Sequence, residues 1–386
     1  MTHTTASERP GTTPPRVAVV GMHGYGAMHV RHATELAEHG RLTFVAAADP
    51  KPAESGQLGA GVAEYADAEK MIMDVDPDIV TIATPIQTHL PLALAAVRAG
   101  ADVLLEKPPV TSLAQFEELQ QAADVAGRVV QVGFQSLGSH GIPALRQLMA
   151  AGELGEITGI SGIGLWLRQL DYWQRSPWAG RRALDGVEVN DGVVTNPLAH
   201  ATSAALALAG ASTVDGLAEV EVELLHGNDI EADDTSVVRL VTQAGLRVTL
   251  GLTLCVADGQ QQPFVQINGT TGRARFFYTG DRALIWRDGA ADPKEVHYER
   301  TSLLDNLIEH RVSGAALLSP LTSSGGFTRV MEAVRQATPR AVDPDWVELR
   351  DDQHGRHVVI RDIEEWVERA ALEHQTFSQL GAPFAR

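Results

Sequence analysis

From Arg16 to Phe134 the chain alternates short runs that are apolar throughout with longer amphipathic stretches. The runs are Arg16 to Gly21, Leu42 to Ala48, Ile79 to Ala83, Asp102 to Leu105 and Val129 to Phe134. Between them, helical periodicity covers Ala27 to His39, Leu90 to Ala99 and Ser112 to Ala126. A strand with no polar face needs cover on both sides, and strands separated by helices run parallel. The fold class is therefore α/β, with a doubly covered parallel sheet at the N-terminal end.

The pattern changes after about Gln135. A helix near Ile142 to Ala151 leads to a strand-like run, Ile157 to Leu167. A polar and aromatic segment, Asp171 to Gly192, precedes an Ala/Leu-rich helix over Pro197 to Ala209. From Thr213 to Trp286 apolar and polar residues alternate between turn signals such as His226-Gly-Asn and Gln243-Ala-Gly. That predicts consecutive antiparallel strands. Helices follow at Leu303 to Val312, Phe327 to Gln336 and Ile363 to Leu380. A chain of 386 residues exceeds one ordinary core. The division expected is a disordered tail over 1–15, a dinucleotide-type domain over 16–135 and a second α/β domain over 136–386.

Charge narrows the partners. Asp plus Glu outnumber Lys plus Arg by 49 to 31, a net charge of −18. Such a surface repels nucleic acid and anionic lipid. No run reaches the roughly 18 to 20 apolar residues of a membrane helix. The lone cysteine, Cys255, sits in a strand-like run and reads as a small buried hydrophobe in a reducing compartment. A cytoplasmic protein without nucleic-acid, membrane or metal partners is expected.

Gly21-Met-His23-Gly24-Tyr25-Gly26 follows a strand and opens a helix, the context of a dinucleotide fingerprint. Gly21 suits the tight turn, Gly26 close helix–strand packing, and the helix N-terminus a pyrophosphate. His23 replaces the middle glycine, so Gly24 is the candidate for close backbone approach. Asp49 ends the second strand roughly 20 residues on, where a carboxylate accepts from ribose hydroxyls and repels a 2′-phosphate. NAD is favoured over NADP, although Lys51 blurs that preference.

Three more segments carry a family resemblance: Ala83-Thr84-Pro85-Ile-Gln-Thr-His89, Glu106-Lys107-Pro108, and Gly192-Val-Val-Thr-Asn196-Pro-Leu-Ala-His200. With the glycine loop, they resemble the Gfo/Idh/MocA family, the glucose–fructose oxidoreductase and inositol dehydrogenase group. The resemblance implies a Rossmann domain, then an α/β domain with a large, open, mainly antiparallel sheet. It implies NAD(P)-dependent oxidation or reduction of one carbon of a sugar, cyclitol or related polyol. Lys107 and His200 match the family's catalytic lysine and histidine. An ammonium stabilises developing negative charge on the reacting oxygen, and a histidine near neutrality takes the hydroxyl proton. Asn196 stands where the family usually has Asp, one helical turn before His200, and is assigned to positioning the substrate hydroxyl. Thr84, Pro85 and Glu106 fall in segments implied to line the cofactor. His89 either lines it too or caps the helix beginning near Leu90.

Trp166 to Arg182 is unusually basic and aromatic for so acidic a chain. Trp166, Tyr172 and Trp178 suit the C–H faces of a sugar, and Arg168, Arg175 and Arg181 suit an anionic group. Arg182 also lies in this segment, and local acids such as Asp171 and Asp185 compete for its arginines. Two activities stay open. One is a net dehydrogenase. The other is an NAD-dependent glycosidase that oxidises, eliminates, hydrates and reduces, acting on an anionic glycoside. The open sheet face implied by the family points to a homodimer or homotetramer.

Overall fold

The structure is a computed structural model that describes residues 13–290 and 292–385. Most of the expected tail lies outside them. The first sheet is built from β1 (Arg16–Val20), α1 (Gly26–Glu38), β2 (Thr43–Ala48), β3 (Ala63–Tyr65), α2 (Ala68–Val75), β4 (Ile79–Ile82), α3 (His89–Arg98), β5 (Asp102–Leu105), α4 (Leu113–Ala126) and β6 (Val130–Val132). Its strands are parallel in the order β3-β2-β1-β4-β5-β6. The order reverses beside β1. Ligands bind in that crevice, outside the carboxyl ends of the strands. Gly21, Ala83 to Pro85 and Glu106 to Pro108 follow β1, β4 and β5, so all three segments gather there.

The strands are apolar throughout because both faces are buried. Val17 and Val19 point to one layer, and Ala18 and Val20 to the other. Two elements escape the periodicity. The three-residue β3 is an edge strand with one half-buried residue. The short α2 is set by its ends: Asp67 accepts from the Lys70 N–H, and Asp76 closes it at φ 44°.

The second domain holds α5 (Gly141–Ala150), β7 (Ile157–Leu165), a small hairpin β8 (Ala183–Leu184) and β9 (Val187–Glu188), and α6 (Ala199–Ala209). Strands β10 (Leu217–His226), β11 (Thr235–Thr242), β12 (Arg247–Thr253), β13 (Phe264–Gly269), β14 (Gly272–Phe277), β15 (Arg282–Arg287) and β16 (Lys294–His297) follow. Then come α7 (Leu303–Ser313), α8 (Gly325–Gln336), β17 (Arg340–Ala341), β18 (Val347–Asp352), β19 (Gly355–Ile360) and α9 (Ile363–Glu373). Nine strands form one sheet, ordered β16-β15-β14-β13-β7-β12-β11-β10-β17. All but the β7–β12 and β10–β17 pairs are antiparallel. The expected unbroken meander is corrected by β7, which sits between β12 and β13. Its glycine-rich middle explains the fit, since a Cβ on Gly162 or Gly164 would crowd Leu250 or Leu198.

Two further expectations change. The boundary near 135 separates the two sheets, but α7 returns to the first. Leu303, Leu304, Leu307 and Ile308 pack with Val17, Val19, Ile79 and Leu104, and Arg311 pairs with Asp78 and Asp102. The helix expected to run to Leu380 stops at Glu373, where His374 turns left-handed at φ 56°. Residues 377–385 then fold back with α9 over β7, β11 and β13, joined by β19. The chain thus covers the middle of this sheet face itself and leaves Arg273, Arg275 and Trp286 of β14 and β15 at least partly exposed. Among the described residues no helix is long and apolar enough to cross a membrane.

Phe377 and Phe384 are fully buried in this cover. Phe384→Ala should cost about 3–5 kcal/mol of unfolding free energy in urea titration. Leu349→Ala, on an exposed position of β18, should stay within about 0.5 kcal/mol. Equal effects of the two would contradict a C-terminal segment that belongs to the core.

Candidate active site

The glycine loop has the shape a dinucleotide needs. Any Cβ on Gly21 would overlap the Ala83 carbonyl, and any Cβ on Gly26 would overlap the Gly21 carbonyl. Helix α1 can therefore approach β1 and β4 only with glycine at both positions. Gly24 differs: its φ is +56° and open space lies beyond it. No side chain caps α1 and no acid lies in its first turn, which leaves that end fit for an anionic pyrophosphate. Asp49 Oδ2 accepts from the Met22 N–H at 2.8 Å and Oδ1 from the Lys51 N–H at 2.9 Å. The carboxylate expected to meet the ribose thus also clamps the loop to β2. His23 Nε2 lies 3.2 Å from the Lys51 carbonyl oxygen across the same gap. These residues fit NAD: Gly24 and the α1 end would hold the pyrophosphate, and Asp49 the adenosine ribose.

A second group lines a small cleft between the domains. Thr84, Pro85, His89, Lys107 and Pro108 come from the first sheet's edge. Trp178, Asn190, Asp191, Thr195 and Asn196 come from the second domain. His89 lines the cleft and does not cap α3. It is buried, with its ring nitrogens 2.8 Å from the Pro108 and Thr84 carbonyl oxygens, so it holds the two loops together. Burial pushes its pKa down, against the opposing pull of those carbonyls.

Lys107 reaches across the cleft. Its Nζ donates to the Asn196 carbonyl at 3.1 Å and to Asn196 Oδ1 at 2.7 Å. Burial lowers its pKa, opposed by Glu106 and then Asp191. Asn196 donates in turn to Asp191 Oδ1 at 2.7 Å. Asp191 Oδ2 accepts from Arg175 at 2.8 Å and from the Gly180 N–H at 2.9 Å. Asp191 was missed in the sequence. Its only signal was an acid five positions before the asparagine that replaces the family's Asp. The negative charge has thus moved outward, from the residue touching Lys107 to the one behind it.

The expected helical turn from Asn196 to His200 is corrected. Helix α6 begins at Ala199, and Asn196 lies in the preceding turn, where the Val193 and Asn196 N–H groups bond to Asp233 and Gly192 carbonyls. Gly192 is required here because a Cβ would overlap the Asp233 carboxylate. His200 stands on the first turn of α6, edge-on to Phe134, with Nδ1 3.4 Å from Ser136 Oγ. Burial first, then the charges of Lys107 and Arg300, push its pKa down to about 3. The expectation of a base near neutrality is therefore not met; His200 is neutral at working pH.

Glu106, expected to line the cofactor, is bonded within the protein. Its Oε1 lies 2.9 Å from His29 Nε2 and accepts from Gln135 at 2.9 Å, and its Oε2 from the Lys107 N–H at 3.1 Å. Both oxygens are spent on the protein. Tyr25 packs edge-on to His29 and faces a separate groove toward Arg300.

The aromatic and basic segment folds into a ladder. Arg168 lies over Trp166 and Tyr172, and Arg175 over Tyr172 and Trp178. Arg168, Tyr172 and Arg175 line a groove of about 800 Å³ next to the cleft. The anion-binding expectation is corrected for two arginines. Arg175 is neutralised by Asp191, and Arg181 points to a different groove, 3.8 Å from Glu231. Arg182 donates to the Val334 and Arg335 carbonyls. Arg168 pairs with no carboxylate among the described residues. Cys255 is buried, and burial pushes its thiol pKa well up, as suits an inert side chain.

A glycine loop and Asp49 at one edge, with Lys107 and Asn196 facing a cleft, define an NAD-binding Rossmann oxidoreductase. Comparisons with known proteins agree. Residues 16–134 match the oxidoreductase family model with an NAD-binding Rossmann fold, and residues 142–275 match the GFO/IDH/MocA C-terminal domain. The chain belongs to the GFO/IDH/MocA family. It is 36% identical over 143 residues to inositol 2-dehydrogenase 4 of Saccharopolyspora erythraea, covering 35% of this chain and 42% of that one. It is 30% identical over 149 residues to D-glucoside 3-dehydrogenase of Escherichia coli, covering 38% and 42%. The matched region thus spans under half the length of these curated relatives. The WlbA dehydrogenase of Bordetella pertussis, solved with NADH and UDP-GlcNAcA, shares the fold at TM-score 0.68 and 20% identity over 83% of this chain and 95% of that one. The aldose-aldose oxidoreductase of Caulobacter crescentus does so at TM-score 0.67 and 20% identity, over 84% and 97%.

Asp233 underpins the Asn190 to Asn196 turn, and burial raises its pKa to about 6. Its folded value exceeds the unfolded one, so folding takes up a proton here. The stability this group contributes is present below the unfolded carboxylate range and is lost as pH rises through about 6. Asp233→Asn should gain stability relative to wild type between pH 4 and 7, read as the difference in Tm. A pH-independent difference would contradict the burial of a charge there.

Proposed function

We propose that the protein is an NAD-dependent dehydrogenase acting on a hydroxyl-bearing carbon of a sugar, cyclitol or sugar acid. The observation that carries this reading is the contact of Lys107 with Asn196 across the cleft at the sheet's switch point. Bound NAD+ would supply the hydride acceptor. The chain's own part is to hold the alcohol and remove its proton. In its neutral form Lys107 would donate two N–H groups to the two Asn196 oxygens and keep its lone pair for the substrate hydroxyl. Burial favours that neutral form, and an amide at 196 does not oppose it as a carboxylate would. Lys107 is thus the proton acceptor in this reading. Trp178 lies in the same cleft and offers an aromatic face to the substrate's C–H groups.

The groove beside Arg168 and Tyr172 gives a second reading its support: it has room for an aglycone or an acidic substituent. There the same cleft would serve an NAD-dependent glycosidase that recycles its cofactor. A homodimer or homotetramer would use the part of the sheet left open at β14 and β15, where Arg273, Arg275 and Trp286 stay at least partly exposed.

The test is NADH absorbance with NAD+ and a panel of sugars, uronates and inositols, with aryl glycosides followed for released aglycone. NADH formed in proportion to substrate supports the dehydrogenase. Aglycone release that needs NAD+ and leaves no NADH would replace it with the glycosidase. In the dehydrogenase, kcat/KM falls below the pKa of Lys107. Asn196→Asp places a carboxylate against the ammonium and should move that acid limb up by about one to two pH units. An unmoved limb would remove Lys107 from the role of base.

A further inference from the structure

A carboxylate offers two equivalent oxygens, but an amide has unlike ends, and one flip exchanges a donor for an acceptor. At Asn196 that difference decides what Lys107 can do. Asn196 Oδ1 lies 2.7 Å from Lys107 Nζ, and the Asn196 carbonyl accepts from the same nitrogen at 3.1 Å. A neutral amine has two N–H groups and one lone pair. This arrangement would use both N–H groups and leave the lone pair free. A flipped amide would aim its NH2 at that lone pair and occupy it.

The choice between the two ends is made at Asp191. Asn196 Nδ2 donates to Asp191 Oδ1 at 2.7 Å. Asp191 is only 4% exposed, and its other oxygen accepts from Arg175 at 2.8 Å and from the Gly180 N–H at 2.9 Å. Those two donors hold the carboxylate still. Arg175 is held in turn over the Tyr172 and Trp178 rings, 3.8 and 4.6 Å from their centroids. With a donor at each oxygen, Asp191 acts only as an acceptor, so only the NH2 end of Asn196 fits against it. The charged and titratable groups around Lys107 are Glu106 and Asp191, which favour its ammonium, Arg175, which opposes it, and His200 on α6.

We infer that Asp191 is a positioning residue: it holds Asn196 with Oδ1 toward Lys107, so that the lysine keeps its lone pair for the substrate hydroxyl. This rests on the dehydrogenase reading and adds what aims its base. It makes a specific demand on substitution. In Asp191→Asn the oxygen end stays where two donors point, at Arg175 and Gly180, and the new NH2 meets the NH2 of Asn196. A flip of Asn196 relieves that clash and turns its NH2 onto Lys107. Adding Asn196→Asp supplies an acceptor on both sides and removes the choice of ends. Asn196→Asp by itself sets two carboxylates face to face. Asp191→Asn is therefore harmful alone and restorative beside Asn196→Asp.

The experiment follows kcat, KM and their pH dependence in the full chain, with NAD+ and a panel member that the wild type oxidises. Asp191→Asn should lower kcat about 100-fold or more and change KM less than about 3-fold. The double variant should recover to within about 10-fold of the wild-type kcat, above an acid limb raised by about one to two pH units. An Asp191 that only braced the fold would gain nothing from the second substitution. Undiminished kcat in Asp191→Asn, or a double variant no better than Asp191→Asn, would overturn the inference. If Asp191→Asn fails to fold, neutron diffraction of the wild type in heavy water reads the amide directly, since it locates the hydrogens that X-rays miss. Deuterons of Asn196 Nδ2 on the Asp191 side uphold the inference, and deuterons on the Lys107 side overturn it. If the wild type oxidises no panel member, the dehydrogenase reading fails separately, and the same neutron map still decides which way Asn196 is held.

Discussion

Lys107 Nζ and the Asn196 amide meet at 2.7 Å across the two domains and join the two walls of the candidate cleft. Each partner is placed by its own domain. Lys107 follows a strand whose residues are buried on both faces, and His89 ties its loop to the Thr84 loop. Asn196 lies in a turn held from below by Asp233 and from the side by Asp191. Helix α7 then binds the second domain's chain to the first sheet, so the two halves present the pair in fixed register. The cleft is a property of that junction and not of either domain alone.

The chemistry turns on where negative charge stands relative to this contact. A carboxylate at 196 would lock Lys107 as an ammonium. The amide avoids that, and Asp191 supplies a weaker pull from one residue away. Burial acts in the same direction on Lys107 and on His200, disfavouring charge on both. Removal of a proton from an alcohol needs an acceptor that is not already protonated, and burial moves both groups toward that form.

The first sheet was legible because its strands are buried on both faces, which leaves uninterrupted apolar runs such as Val17 to Val20. Lys107, Asn196 and the glycine loop were legible because their motifs follow strands or precede a helix in fixed order. What the sequence hid depends on contacts between distant residues. No local pattern says that β7 inserts between β12 and β13, or that 377–385 returns to cover the sheet. The arginines of the aromatic segment look alike in sequence, yet Arg175 meets Asp191, Arg181 faces Glu231, and Arg168 keeps its charge unpaired by any carboxylate among the described residues. The lowered pKa of His200 likewise follows first from burial, which only the fold creates.

The central claim is that this cleft moves hydride from a substrate carbon to nicotinamide and lets the oxidised product go. The most direct measurement is the fate of deuterium placed on the oxidised carbon, followed by mass spectrometry of both cofactor and product. The account predicts one deuterium in the reduced nicotinamide for each oxidised product released. Deuterium that returns to the sugar, with the cofactor found unreduced at the end of turnover, would contradict it.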